Sequence, residues 1–144
     1  MRVLVQRSGE ASVVVDSKVV GHISDGMVIL VGFTEGDNQE HIEYIAKKIV
    51  NLRIFDDENG VMNKSILDYG GSVLSISQFT LYADTKKGNR PSYINAMGGE
   101  EAIKLYEAFN EELAKYVHVE TGKFGAEMTV NITNDGPITI MLEK

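Results

Sequence analysis

The chain contains no cysteine among its 144 residues. Disulfide bonds, thiolate metal sites and a cysteine nucleophile are therefore excluded together, which removes several classes of enzyme. The three histidines are widely separated and match no metal-ligand spacing, such as i and i+4 on a helix. We therefore expect structural or surface roles for His22, His41 and His118, with no metal site and no cofactor.

Proline is scarce, with two residues, and low-complexity runs and internal repeats are absent. No shift in composition marks a linker, so we expect residues 1–144 to form one domain, long enough to bury roughly two thirds of the surface that the unfolded chain exposes. Residues 1–6 alternate in polarity, unlike a secretory signal, and no later segment has the length of a membrane span. We expect a soluble, cytoplasmic protein with no membrane partner.

Basic residues are outnumbered by acidic ones, 14 to 21, which gives a net charge of −7. Affinity for long nucleic acid comes from many phosphate contacts, so this charge argues against a DNA-binding protein. One end of an RNA needs only a local patch, and Lys86, Lys87 and Arg90, together with Lys64, are candidates for it. By composition alone, a solvated turn is the better explanation of the 86–90 segment.

Alternating polarity in residues 2–7 predicts a strand, and the β-rich runs 12–15 and 18–23 on either side of Asp16 and Ser17 predict a hairpin. The continuous apolar run 27–31 is long enough for a strand buried on both faces and too short for a helix.

Two helices are predicted from apolar residues at helical spacing. Asp37 is the expected N-cap of the first, Glu40 completes a capping-box pattern, and an apolar stripe runs from residue 42 to residue 49. The second helix is expected to begin near Glu100, and its wide aromatic stripe, which extends to Tyr116, is best explained by core packing.

Further strands are predicted at 73–82, 117–120, 126–132 and 138–142, with a turn at 56–60 and a loop at 84–92. This order of strands and helices lacks regular βαβ alternation. We therefore predict an α+β fold, with a mainly antiparallel, curved or barrel-like β-sheet and two packed α-helices.

Polar groups interrupt the predicted strand 73–82. Side-chain alternation puts Gln78 and Thr80 on one face and Ser77 and Phe79 on the other. A strand end whose hydroxyls bond nearby backbone explains this pattern as well as a catalytic site does. In the functional interpretation, backbone N–H groups near Phe79 and Thr80 face a developing oxyanion. Thr80 is a weak candidate for a nucleophile, because the chain offers no GxSxG elbow and no histidine in a visible triad context.

The pair Gly136-Pro137 separates two β-rich runs and, by itself, predicts only a turn. Together with the sequence SQFTL at 77–81, however, it closely resembles the D-aminoacyl-tRNA deacylases. The resemblance extends over nearly the whole chain and rests on the segments 1–7, 77–81, 87–92, 124–128 and 134–139.

The resemblance implies hydrolysis of the ester in D-aminoacyl-tRNA, rejection of L-aminoacyl-tRNA, and removal of glycine mischarged on alanine tRNA. It implies an active site built around residues 77–81. A Gly136-Pro137 pair with a cis peptide bond would turn two carbonyls into the pocket, where they capture the ammonium of the substrate and leave no room for an L side chain. Arg7 and Met128 match positions that hold or line this site. The family is a homodimer in which the Gly-Pro loop of one subunit completes the site of the other.

An aminoacyl ester on tRNA is labile, and the neighbouring ribose hydroxyl of the terminal adenosine can activate or orient water. The protein would then supply positioning and oxyanion donors. Two alternatives stay open. A non-catalytic module that binds tRNA or a small ligand on the same sheet would show no ester turnover, and a serine or threonine esterase would lose all activity in Thr80→Ala.

Overall fold

The computed structural model describes residues 1–144 as eight strands, three α-helices and one 3-10 turn. In chain order these are β1 (Arg2–Val15), β2 (Lys18–Ile23), β3 (Gly26–Gly32), α1 (Gln39–Asn51), β4 (Phe55–Asp56), β5 (Met62–Lys64), α2 (Ile66–Tyr69), β6 (Ser72–Ser77), the 3-10 turn (Phe79–Tyr82), α3 (Gly99–Ala114), β7 (Val119–Thr121) and β8 (Thr129–Glu143).

Strand β1 is the centre of the main sheet. It pairs antiparallel with β2, β3 and β8, whereas β3 with β6 and β6 with β7 form parallel pairs. The backbone of Gly21 in β2 packs directly against the carbonyl of Thr121 in β7, so the sheet nearly closes into a barrel. The predicted α+β class and barrel-like sheet are confirmed, and the two parallel pairs make the sheet mixed at one side.

Two apolar clusters lie on opposite faces of β3. Met27 and Ile29 belong to the cluster that includes the buried faces of α1 and α3. Val28 belongs to the second cluster, where it joins Leu74 and Ile76 of β6. The prediction of a strand buried on both faces is therefore confirmed. The two long helices are also confirmed, although the core stripe of α3 ends at Leu113.

The N-cap of α1 is Asn38, not Asp37 as predicted. The side chain of Asn38 accepts from the N–H of Glu40 (2.9 Å), and the ring of His41, not Glu40, completes the capping box. Asp37 is engaged elsewhere, because its carboxylate accepts from the N–H of Thr34 and from the amine of Met1, each at 2.8 Å.

Several predicted boundaries are also wrong. The strand predicted at 73–82 ends at Ser77, the runs 126–132 and 138–142 belong to one strand that begins at Thr129, and the strand at 117–120 is shifted to Val119–Thr121. Tyr116 follows the end of α3 and is 44% exposed, so it is not part of the core stripe. The short elements β4, β5 and α2 were not predicted from the sequence. No helix has the length and apolar character that a membrane crossing requires.

Candidate active site

The first polar motif lies where β6 ends. The N–H of Gln78 donates to the carbonyl of Val31 in β3 (2.7 Å), which is the last bond of that pairing. The backbone of Gln78 then turns the chain into the 3-10 turn that begins at Phe79. Because the first N–H groups of a helical turn have no acceptor within it, those of Phe79 and Thr80 have no partner inside the turn.

The side chains of Gln78 and Thr80 meet across this turn. The amide Nε2 of Gln78 donates a hydrogen bond to the hydroxyl of Thr80. The prediction that both project from one strand face is wrong, because β6 ends before them at Ser77. No histidine or carboxylate hydrogen-bonds to Thr80, so the segment offers donors rather than an activated nucleophile.

A cavity of about 650 Å³ opens beside the turn. This volume lies in the range that suits small-molecule ligands. Four of the predicted site residues line it, namely Ser77, Gln78, Phe79 and Met128. The lining is mostly apolar, and the residues that were not predicted include Phe33, Tyr93, Met97, Gly98, Phe124 and Ala126.

Phe79 and Tyr93 mark the exposed side of the cavity. Their side chains are 54% and 42% exposed, and their rings meet edge to face with centroids 5.0 Å apart. The N–H of Met97 donates to the carbonyl of Phe33 (2.9 Å), which ties the segment after Tyr93 to the end of β3. The mouth of the cavity is thus formed by two segments that are distant in sequence.

Tyr106 of α3 supports the cavity wall at Phe124, on which its ring packs with centroids 5.8 Å apart. Its hydroxyl donates to the carbonyl of Ser75 in β6 (2.7 Å). Burial raises the pKa of Tyr106, so the phenol stays protonated and remains a donor at neutral pH. This bond joins the helix to the strand that carries the first motif.

The second motif forms a protrusion on β8. On β1 one residue separates Gln6 from Ser8, but four residues, 135–138, separate their partners Thr139 and Asn134 on β8. We call residues 135–138 the Gly-Pro protrusion. No residue of the Gly-Pro protrusion lines the cavity of its own chain.

The tip of the Gly-Pro protrusion is exposed and formed by Gly136 and Pro137, and the peptide bond between them is cis. Gly136 has a φ of 120°, in the region that favours glycine. A Cβ on Gly136 would also lie 2.8 Å from Cγ1 of Ile138. The tip therefore requires glycine at this position.

Arg7 contacts the side of the Gly-Pro protrusion rather than the cavity. Its side chain is 12% exposed, and its Nη1 donates to the carbonyl of Ile54 at 2.9 Å. Its Nε lies 3.1 Å from Oδ2 of Asp135, an ion-pair distance at which the N–H is not aligned for a hydrogen bond. Within one chain, the predicted catalytic and substrate-binding residues thus fall into two groups, one at the cavity and one at the Gly-Pro protrusion.

Comparison with known proteins identifies the family to which the chain belongs. The family model described as D-Tyr-tRNA(Tyr) deacylase matches residues 4–143. A D-aminoacyl-tRNA deacylase of Bacillus cytotoxicus is 58% identical over 144 residues, and one of Bacillus cereus strain AH187 is 56% identical, with 99% of each chain covered in both cases. This chain belongs to the D-aminoacyl-tRNA deacylase family.

Two solved structures are similar to the chain. The c-Myc DNA Unwinding Element Binding Protein has a TM-score of 0.95 at 42% identity, with 100% of this chain and 99% of that chain covered. A probable eukaryotic D-amino acid tRNA deacylase has a TM-score of 0.83 at 17% identity, with 98% and 97% covered, and it shows that the fold is shared.

Three of the four basic residues that were considered for RNA binding lie in one closed loop. Asp84 and Ser92 exchange two backbone hydrogen bonds, of 2.7 and 2.9 Å, at the base of the loop. Lys86, Lys87 and Arg90 are all exposed between them. Lys64 is not part of this loop and lies in β5, opposite Phe55.

The histidines do not line the cavity. His41 caps α1, while His22 and His118 lie 3.9 and 2.8 Å from glutamate side chains. The cavity residues Tyr93 and Met97 carry no recognisable pattern in the sequence, whereas Phe124 lies in the segment 124–128, one of those that carry the family resemblance. The Gly98-Gly99 pair, directly before α3, is a further signal of a ligand-facing segment in the sequence.

Proposed function

We propose that this protein hydrolyses the ester bond of D-aminoacyl-tRNA and releases free tRNA and a D-amino acid. The observation that carries the proposal is the end of β6, where the N–H groups of Phe79 and Thr80 begin a turn beside an apolar cavity. Membership of the D-aminoacyl-tRNA deacylase family supports the same substrate class.

Water is the nucleophile in this proposal. It adds to the carbonyl carbon of the ester, and the negative charge that develops on the carbonyl oxygen is stabilised by backbone donors at Phe79 and Thr80. Removing one such donor in other hydrolases costs roughly 100-fold to 1,000-fold in rate. The bond to the ribose oxygen then breaks, and that oxygen takes up a proton from the attacking water through the neighbouring ribose hydroxyl. The RNA therefore does part of the acid–base work.

Selection for the D-enantiomer is assigned to Gly136 and Pro137. Their carbonyls accept from the ammonium group of the substrate, and the backbone occupies the volume that an L side chain would need. Exclusion by backbone is effective because main-chain atoms cannot swing aside as a side chain can. Glycine has no side chain to collide, so glycine mischarged on alanine tRNA is also a substrate.

A homodimer brings the two groups of site residues together. The Gly-Pro protrusion is exposed and lies away from its own cavity, which supports insertion into the cavity of a second copy. β8 pairs with β1 along one edge only, and its other edge has no partner strand. A 15-residue strand with a free edge is a ready surface for pairing with another chain.

The acceptor end of tRNA is bound next to the cavity by Lys86, Lys87 and Arg90. Few phosphates are neutralised by such a patch, which suits a protein with a net charge of −7 and argues against binding to duplex DNA. Because charged tRNA is the substrate, we place the protein in the cytoplasm.

The decisive experiment follows ester loss from matched D- and L-tyrosyl-tRNA, with glycyl-tRNA as a third substrate. The protein is kept well below the substrate concentration. We expect many turnovers on the D and glycyl esters and none above background on the L ester. Binding without turnover would support a non-catalytic module, and equal loss of both tyrosyl esters would refute selection by the Gly-Pro protrusion.

A further inference from the structure

The neck of the Gly-Pro protrusion is closed by a single side chain. The Nδ2 of Asn134 donates to the carbonyl of Ile138 at 3.0 Å, which joins the two ends of the protrusion. The same Nδ2 donates to the carbonyl of Arg7 at 3.1 Å, on the one β1 residue opposite the protrusion. One amide thus ties the protrusion both to itself and to the neighbouring strand.

The amide of Asn134 has a fixed orientation. An NH₂ group has two hydrogens, and both are used by the two carbonyls. The Oδ1 atom accepts from the hydroxyl of Thr139 (3.3 Å), which in turn accepts from Nε2 of Gln6 (3.2 Å). A reversed amide would set Oδ1 against two carbonyl oxygens, so only one arrangement satisfies the chain Gln6–Thr139–Asn134.

We propose that Asn134 is a positioning residue for chiral discrimination. By closing the neck, its amide determines where Gly136 and Pro137 hold their backbone relative to the substrate. This inference rests on the proposed function, in which the Gly-Pro protrusion excludes an L side chain by volume.

Outside the neck, Ile138 packs against the main apolar cluster and fixes the base of the Gly-Pro protrusion, whereas its tip has few contacts. Residues 135–137 are exposed, and the only ion pair on the protrusion joins Asp135 to Arg7. A displacement of about 1 Å at a reacting centre can reduce rates roughly 100-fold, so the accuracy of steric exclusion depends on the neck. Asn134 itself does not line the cavity of its own chain, which separates its role from substrate contact.

The test compares Asn134→Asp with Asn131→Asp. In the first variant a carboxylate of the same shape replaces the amide. Both N–H donors to the carbonyls of Arg7 and Ile138 are lost, and the negative carboxylate repels these two carbonyl oxygens. Asn131 lies on the same strand, is exposed, and makes one bond of 3.3 Å to the hydroxyl of Ser12. Both variants add the same charge. The measurements are kcat/KM for D- and L-tyrosyl-tRNA and the melting temperature.

We expect Asn134→Asp to reduce the ratio of D to L kcat/KM by about tenfold or more, as a misplaced steric barrier should. Asn131→Asp should leave the ratio unchanged. A lower melting temperature with an unchanged ratio would mean that Asn134 is merely structural, which would overturn the inference.

Thr139→Val provides a second variant in case Asn134→Asp does not fold. It removes the hydroxyl that orients the amide, at an exposed position, and should shift the D to L ratio in the same direction by a smaller factor. If the wild type is active and the folded variants Asn134→Asp and Thr139→Val keep its ratio of D to L kcat/KM, only this inference is overturned. A wild type inactive on D-tyrosyl-tRNA would overturn the proposed function and this inference with it.

Discussion

The side-chain amide of Gln78 donates to the hydroxyl of Thr80, and no histidine or carboxylate bonds to that hydroxyl. An amide cannot take up the proton that a threonine nucleophile must lose. The hydroxyl of Thr80 therefore accepts a hydrogen bond within the turn and is not activated as a nucleophile. In the proposed mechanism water is the nucleophile, backbone N–H groups stabilise the oxyanion, and the ribose hydroxyl of the RNA transfers the proton.

Thr80→Ala should keep substantial deacylase activity, with kcat/KM for D-tyrosyl-tRNA within about tenfold of the wild type, because no base activates the hydroxyl. The exposed Thr85 supplies the control variant Thr85→Ala. Steady-state kinetics on both variants check the prediction. Complete loss of activity in Thr80→Ala alone would revive the threonine esterase.

Replacement of the terminal adenosine of the tRNA by its 2′-deoxy form should slow hydrolysis by about 10² to 10⁴, the usual contribution of a positioned acid–base group. The deoxy and ribo substrates are compared in single-turnover reactions at saturating protein. Equal binding of the two uncharged RNAs serves as the control. An unchanged rate would rule out assistance by the ribose.

Gly136→Ala should abolish most hydrolysis of D-tyrosyl-tRNA. A φ of 120° disfavours alanine, and the new Cβ would collide with Ile138. Gly36→Ala is the matched control, because Gly36 also has a positive φ, of 91°, but has no atom within 4 Å of its Cβ position. The positive φ alone should cost each variant about 1–2 kcal/mol in the free energy of unfolding, and Gly136→Ala should lose more because of the collision. Only the first should affect kcat/KM, and normal activity in Gly136→Ala would contradict the assigned role of the tip.

Reversal of both Lys86 and Lys87 to glutamate should weaken tRNA binding and leave the fold intact. The slope of log K against log salt should decrease in magnitude by about one for each lysine. Lys47 and Lys48, exposed on α1, supply a control with the same change in charge. Equal affinity losses in the two double variants would indicate a general charge effect rather than a patch at the loop.

Tyr106→Phe should destabilise the fold by about 0.5–1.5 kcal/mol, because the carbonyl of Ser75 loses its shorter hydrogen bond and keeps the one from the N–H of Gly122 at 3.4 Å. Tyr116→Phe, at a side chain that is 44% exposed, should change the free energy of unfolding by less than about 0.5 kcal/mol. Urea unfolding measures both variants. Equal stability of Tyr106→Phe and the wild type would mean that the bond contributes nothing net.

Local patterns predicted most of the secondary structure. The apolar stripe of α1 contains the buried Ile42, Ile45 and Ile49, and the run 27–31 is indeed buried on both faces. These predictions succeed because helical and strand periodicities arise within a few neighbouring residues. The site residues Ser77, Gln78, Phe79 and Met128 were also found around one cavity, although only family resemblance pointed to Met128.

Two of the wrong predictions concern positions where a contact with another part of the chain overrides the local sequence pattern. Asp37 has the sequence of an N-cap, but the amine of Met1 and the N–H of Thr34 occupy its carboxylate, so Asn38 caps the helix. Alternation also favoured a strand through Tyr82, yet the pairing of β6 with β3 ends at the bond between Gln78 and Val31.

By itself, the sequence determined most of the longer elements, the α+β class and the family, since all three depend on residue types and their spacing along the chain. Only the tertiary structure decided that residues 135–138 protrude from a single strand and that Phe33, Tyr93 and Phe124 meet at one cavity. Strand register and cavity walls arise from contacts between residues far apart in the chain. A local sequence pattern does not specify those contacts. Many strand pairings satisfy the same alternation of polar and apolar residues, and the packing of the whole chain selects one of them.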